Sequence, residues 1–387
     1  MSIRTETFSP ADNDFGPARL SVAIELSKKS WLVALLPPCS EKISLHTLPA
    51  GDGDGLVGLL MRARRHAETA LGGPVEVVSC YEAGYDGFWL HRRLEQAGVG
   101  SHVFDPASVQ VNRRARRAKT DRIDVRGLLR TLLAYLRGEP KVVSVVRAPD
   151  VEEEDARRLH RERHRLVCER VGHVNRIKGT LAAQGVYDYE PLKRDRHERL
   201  AELRTGDGRT LPPRLAAEIG RELKRLELVL EMIAELEAER DAVAAAKADT
   251  LPGAAKIRAL ARLKSVGPEF ATVLVGEALW RRFDNRRQLA AYAGLDPSPF
   301  RSGSMNRDQG IAKAGNPKLR TTMIELAWMW LRYQPDSALS RWFRERVGDL
   351  KGRPRRIAVV ALARKLLIAL WRYTETGMLP DGAVLKA

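Results

Sequence analysis

Short apolar runs with polar gaps open the patterned part of the chain. Residues 21–26 (SVAIEL) and 31–36 (WLVALL) flank the turn-like Ser27-Lys28-Lys29-Ser30, and residues 43–48 (ISLHTL) alternate apolar and polar. These spacings predict a three-strand meander. Residues 55–71 then place Leu56, Leu59, Leu60 and Ala63 on one helical face. A strand over 75–81, a helix over 87–97, a strand over 101–104 and a helix over 121–136 follow. The predicted order is β-β-β-α-β-α-β-α.

That order is the one found in ribonuclease H-like domains, in which the first and fourth strands lie side by side. Fold order by itself does not assign a function. The later chain is helical in pattern. Residues 160–181 carry helical spacing, and after a Gly/Pro-containing break at 206–213, Ile219, Leu223, Leu226, Leu230 and Ile233 recur at 4-3-4-3 spacing, a heptad seam. The seam fits either an antiparallel hairpin within one chain or a dimerisation arm. Residues 263–279 (LKSVGPEFATVLVGEAL) suggest a helix-hairpin-helix element or a plain packing corner. In the first case, backbone N–H groups at the turn could meet a phosphate. A helix over 287–293, a Gly/Ser/Pro-rich loop over 294–315 and helices over 318–333 and 357–373 close the chain. Trp328, Trp330 and Trp371 are expected in the core. The fold class is therefore α/β plus all-α, divided into a flexible leader (1–18), an α/β domain (19–148), a helical arm (149–250) and a mostly helical C-terminal domain (251–387).

Charge narrows the function. The 387 residues hold 66 Lys and Arg against 49 Asp and Glu, a net charge of +17. A fold so charged calls for a polyanionic partner, nucleic acid first. A membrane partner is disfavoured. Residues 1–20 have no apolar core, and residues 357–371 are broken by Arg364 and Lys365. Cys39, Cys80 and Cys168 form no Cys-x-x-Cys pair, so neither a disulfide framework nor a zinc site is expected and a reducing cytoplasm fits.

Four carboxylates stand out. Glu25 interrupts an apolar strand, which is costly without a partner. Glu82 ends a strand. Asp121 and Asp124 open a helix at i, i+3 and project to one side. Gathered together, such acids would need hard divalent ions. Two ions can clamp the attacking and leaving oxygens of a phosphodiester. The alternative is a helix-start pair favoured by the dipole and a surface acid at a strand end. Asp86 and Asp105 are nearby substitutes. The run 113–122 (RRARRAKTDR) offers Arg113, Arg114, Arg116, Arg117, Lys119 and Arg122 for phosphate contacts. Ser302, in the loop FRSGSMNR, has arginines beside it and no histidine after His197 in the sequence, so a local Ser-His-Asp arrangement is not expected.

These residues resemble the DEDD transposases of the insertion-sequence one-ten family, nearer its eleven-eleven subgroup, the bridge-RNA-guided recombinases. The resemblance is carried by residues 23–28 (AIELSK), 80–94 (CYEAGYDGFWLHRRL), 118–128 (AKTDRIDVRGL), 287–304 (RQLAAYAGLDPSPFRSGS) and 309–320 (QGIAKAGNPKLR). It implies a RuvC-like domain, a coiled-coil arm and a transposase domain with a nucleophilic serine. Ser302 is the implied nucleophile, with Ser304 as the other reading. Glu25, Glu82, Asp121 and Asp124 are the implied ligands of Mg2+ or Mn2+. Arg301, Arg307, Lys313, Lys318 and Arg320 join the cationic run as candidate nucleic-acid contacts. The implied partners are donor and target DNA, a noncoding bridge RNA and further copies of the chain, as dimers pairing into tetramers. The expected location is the cytoplasm, at the nucleoid. Most of the family has Asp where this chain has Glu25, a carboxylate moved by about one bond length. A metal-dependent structure-selective nuclease and an inactive nucleic-acid-binding scaffold are the competing functional readings.

Overall fold

The computed structural model describes residues 18–85, 87–109, 120–245, 252–302 and 305–386. The chain divides into two units, residues 1–149 and 150–387.

The first unit is built on one five-stranded sheet. β1 (Arg19–Leu26), β2 (Ser30–Leu36) and β3 (Ser44–Pro49) form the antiparallel meander. α1 (Gly53–Leu71) leads to β4 (Glu76–Glu82), which pairs parallel to β1. α2 (Trp89–Gln96) leads to β5 (Gly100–Phe104), parallel to β4. The order is β3-β2-β1-β4-β5, so the first and fourth strands are neighbours. The alternation of β1 explains how both faces are covered. Leu20, Val22 and Ile24 join a core with Leu56 and Leu60 of α1 and Leu90 and Leu94 of α2. Ala23 points the other way. It packs with Cys80, Phe104 and the buried stripe Val125, Leu128, Leu129 and Leu132 of α3 (Asp121–Leu136).

The second unit begins with α4 (Val151–Asp155), whose N-cap Asp150 and Glu153 make a reciprocal capping box. α5 (Arg158–Ala182) and the 33-residue α7 (Pro213–Ala245) pack antiparallel as a helix pair, the arm, with α6 (Arg196–Glu202) in the connection between them. The heptad seam is filled from within the chain. Ile219, Leu223 and Leu226 pack with Ile177 and Leu181 of α5, and Ile233 packs with Leu166. A long loop crosses between the two helices where Gly185 and Gly206 touch backbone to backbone. A Cβ on Gly185 would lie 2.9 Å from Gly206 Cα.

α8 (Ala254–Ala261), α9 (Pro268–Leu274), α10 (Arg286–Tyr292), α11 (Pro317–Tyr333), α12 (Ala338–Val347) and α13 (Arg353–Thr376) enclose the largest core, centred on Leu326, Trp330, Leu362 and Leu366. The helical pattern at 270–279 divides in two. After α9, Val275–Leu279 widens into a π turn. The helix–turn–helix α8–α9 is present, and the chain's own last segment covers its turn. Lys386 Nζ donates to the carbonyls of Ala261 and Val266, and Gln334 Nε2 donates to that of Lys264.

Two expectations are corrected. Residues 294–315 are not simply a loop: β6 (Pro297–Ser302) and β7 (Met305–Ile311) pair as an antiparallel hairpin. Their residues are mostly polar, so no apolar alternation marks them, and prolines are tolerated because both strands are edges. Trp330 is fully buried, but Trp328 is exposed, with the Arg355 guanidinium 5.4 Å from its ring centroid. It sits on the outer face of α11, away from the stripe that meets α13. Among the described residues, no helix is long and apolar enough to cross a membrane.

Candidate functional site

Sheet register places the first pair of acids. The last registered pair of β1 and β4 is Ile24 with Tyr81. Glu25 and Glu82 each come one residue later, at the same end of adjacent parallel strands. Both lie on the face that Ala23 and Cys80 turn toward α3, because side chains alternate along a strand. Both are half-buried. The Glu82 charge is felt by the neighbouring Cys80 thiol, which burial and then that carboxylate push well above its ordinary range.

The second pair opens α3. Thr120 is the N-cap, its hydroxyl accepting from Ile123 N at 3.4 Å, with Asp121 and Asp124 in the first turn, where the helix dipole favours negative charge. Asp121 is exposed and Asp124 half-buried. One turn after Asp124, Leu128 meets the sheet, its carbonyl 3.7 Å from Cys80 Sγ. The acids thus stand as a strand pair and a helix pair. Among the described residues, no three His, Cys, Asp or Glu side chains gather closely enough to hold one metal ion. Oxygen-only donors suit a hard divalent ion. Lys28, whose ammonium lies 5.6 Å from the Tyr85 ring centroid, follows β1 at the same edge. Asp105 caps its own turn, accepting from Ala107 N.

Ser302 closes β6 and pairs with Met305, and it is exposed. Arg301, also exposed, pairs with Asn306. Lys313 is exposed, and Arg320 Nη1 donates to its carbonyl at 2.9 Å. Lys318 is half-buried at the start of α11, and Arg122 is exposed on α3. Asp86, Arg113, Arg114, Arg116, Arg117, Lys119 and Ser304 lie outside the described residues, as does the side chain of Arg307.

Residues 257–341, from α8 through the hairpin into α12, match the profile of the Transposase IS116/IS110/IS902 family. The Sinorhizobium fredii protein y4rJ, named as a transposase, is 53% identical over 374 residues, 94% of each chain. The chain belongs to the IS116/IS110/IS902 transposase family. The Coxiella burnetii transposase for insertion sequence element IS1111A is 31% identical over 233 residues, 58% of this chain and 60% of that one. Ser302 falls inside the segment that the transposase profile matches, and the four acids fall before it.

One cluster in this transposase escaped the periodicity of the sequence. Glu277, in the π turn, is buried and accepts from His160 Nε2 at 2.8 Å, Arg161 Nε at 2.8 Å and Asn316 Nδ2 at 2.7 Å. Burial pushes its carboxyl up, but the donations from His160, Arg161 and Asn316 outweigh this and hold it well below the usual carboxylate range. The available signal was an acid inside the apolar run 271–280 (ATVLVGEALW), the same kind of signal that singles out Glu25.

Proposed function

We propose that this transposase cuts and rejoins DNA strands through Ser302. The serine Oγ attacks a phosphodiester, forming an Oγ–P bond as the bond from phosphorus to the leaving sugar oxygen breaks. A sugar hydroxyl of the incoming strand then reverses the step and frees the serine. The exposed position of Ser302 at a hairpin end, with Arg301 beside it, suits attack on a backbone phosphate. The observation that carries the reading is the strand order β3-β2-β1-β4-β5, which brings Glu25 and Glu82 to one face and one end of adjacent strands in a chain of a transposase family. That order supports a RuvC-like reading of the first unit.

In this reading the strand pair Glu25 and Glu82 and the helix pair Asp121 and Asp124 would be drawn together around Mg2+ or Mn2+. The bound ion would supply charge stabilisation to the phosphate oxygens. The acids acting on a given Ser302 come from another copy of the chain, with dimers pairing into tetramers. A noncoding bridge RNA selects donor and target DNA by base pairing, and the cationic residues Arg122, Arg301, Lys313, Lys318 and Arg320 contact backbone phosphates. The similarity to the IS1111A transposase supports placement near the eleven-eleven subgroup.

The test is a trapped protein–DNA adduct formed on the element's junction DNA with its adjacent noncoding RNA and Mg2+. The adduct forms with wild type, disappears with Ser302→Ala and falls at least a hundredfold with Asp121→Asn plus Asp124→Asn. An adduct that survives Ser302→Ala removes the Ser302 assignment and favours Ser304, whereas DNA cleavage by wild type with no adduct at any time removes the serine chemistry and favours a metal-only nuclease. Recombination that survives the double substitution removes the metal assignment.

A further inference from the structure

A two-stranded hairpin is marginal by itself in water, and the one carrying Ser302 has mostly exposed strands. Its direction is therefore set at its root. There, Ala312 N donates to the Asp296 carbonyl at 2.9 Å and Asn316 N donates to the Tyr292 carbonyl at 2.8 Å. The two root segments lie backbone to backbone. A Cβ on Gly315 would stand 2.4 Å from Tyr292 O, and one on Gly294 would stand 2.0 Å from Ala314 O. Both glycines have positive φ, +91° and +62°, so neither contact nor conformation admits a side chain.

Asn316 joins this root to two other structures. Its Oδ1 accepts from Leu319 N at 3.0 Å, capping α11. Its Nδ2 donates to Glu277 Oε2 at 2.7 Å. Glu277 in turn receives His160 and Arg161 from the first turn of α5, where the arm begins. The fit there is close. Gly276 has no side chain where His160 passes, and a Cβ would meet His160 Cε1 at 2.5 Å. The Arg157 guanidinium lies 3.8 Å from the ring centroid of Trp280, which caps the same turn. The π turn presents Glu277 at the point where arm, core and hairpin root meet, a use typical of π-bulges at functional positions.

We infer that Glu277 is a positioning residue: through Asn316 it holds the root of the Ser302 hairpin in register with the base of the α5–α7 arm. The inference rests on Ser302 as the nucleophile for its catalytic consequence, and on geometry alone for the coupling. Through this carboxylate, a load on the arm is felt at the hairpin.

Asn316→Ser tests it. Serine remains a good N-cap for α11 but cannot reach Glu277 with a donor. In the full-length protein, hydrogen exchange of amides in residues 297–311 is expected to rise at least tenfold. Amides of residues 319–333 should stay within twofold of wild type. On the junction DNA with its RNA and Mg2+, the single-turnover rate of adduct formation falls at least tenfold while the half-saturating DNA concentration stays within twofold. A structural loss would instead move both exchange regions together. Unchanged exchange over 297–311, or equal acceleration of both segments, overturns the inference and leaves Ser302 untouched. Accelerated exchange with an unchanged adduct rate overturns the catalytic role. An adduct that persists in Ser302→Ala, tested alongside, refutes the serine reading separately from the exchange result.

Discussion

Leu226→Ala separates an arm closed within one chain from an arm closed between chains. Leu226 is fully buried against Ile177, Leu181 and Leu223, while Leu228, two residues on along the same helix, is 53% exposed. Truncating Leu226 removes three carbons at about 0.8 kcal/mol each, about 2.4 kcal/mol of lost transfer energy. The cavity left between two helices that cannot fully collapse raises this toward about 3–5 kcal/mol. Leu228→Ala should cost no more than about 0.5 kcal/mol. The assay is native-state hydrogen exchange of α5 and α7 amides, which reports opening of the arm separately from the rest of the chain. A cost of about 3 kcal/mol corresponds to roughly a hundredfold faster exchange. The acceleration should be the same at low and high protein concentration, because α5 supplies the partner surface. Equal effects at the two leucines would refute the assignment of buried and exposed faces. Protection that rises with protein concentration would show that a second chain fills the seam, since stability shared between subunits follows mass action.

Glu277 also gives a pH signature. Its folded-state pKa is depressed, so the stability it contributes is present above its ordinary value of 4.5 and is lost as pH falls below it. The melting-temperature gap between wild type and Glu277→Gln should be widest near neutral pH and shrink progressively below about pH 4.5; a gap that widens with acid contradicts the assignment. The three cysteines offer a simple check of the first unit. Cys39 and Cys168 are exposed and Cys80 is buried, with its thiol pushed up by burial and by Glu82. Thiol titration at pH 8 should count two rapidly reacting groups in the native protein and a third only on unfolding; a rapid third thiol would place Cys80, and with it the α3 face of the sheet, incorrectly.

Much of the architecture was legible in residue order because it rests on local alternation. The strands, α1 and α3 follow from apolar spacing, and Glu25 announced itself as a charge in an apolar strand. The seam of α7 was legible as a seam, but its partner was not, since a heptad spacing is the same whether the facing helix belongs to this chain or to another. Polar strands such as β6 and β7 leave no periodic trace, because their pairing is made by backbone groups that every residue shares.

Residue order alone determined that the chain is basic, that it carries acids at a strand interior, a strand end and a helix start, and that a serine lies among arginines late in the sequence. Tertiary structure decided which of these meet. The parallel pairing of β1 with β4 put Glu25 and Glu82 on one face, and the packing of α5 against the π turn brought His160 to Glu277 across 117 positions of chain. The first juxtaposition follows from element order, whereas the His160–Glu277 contact could not be read locally. Closing long stretches of chain is decided by the sum of burial over whole faces, and no single residue's pattern contains that sum.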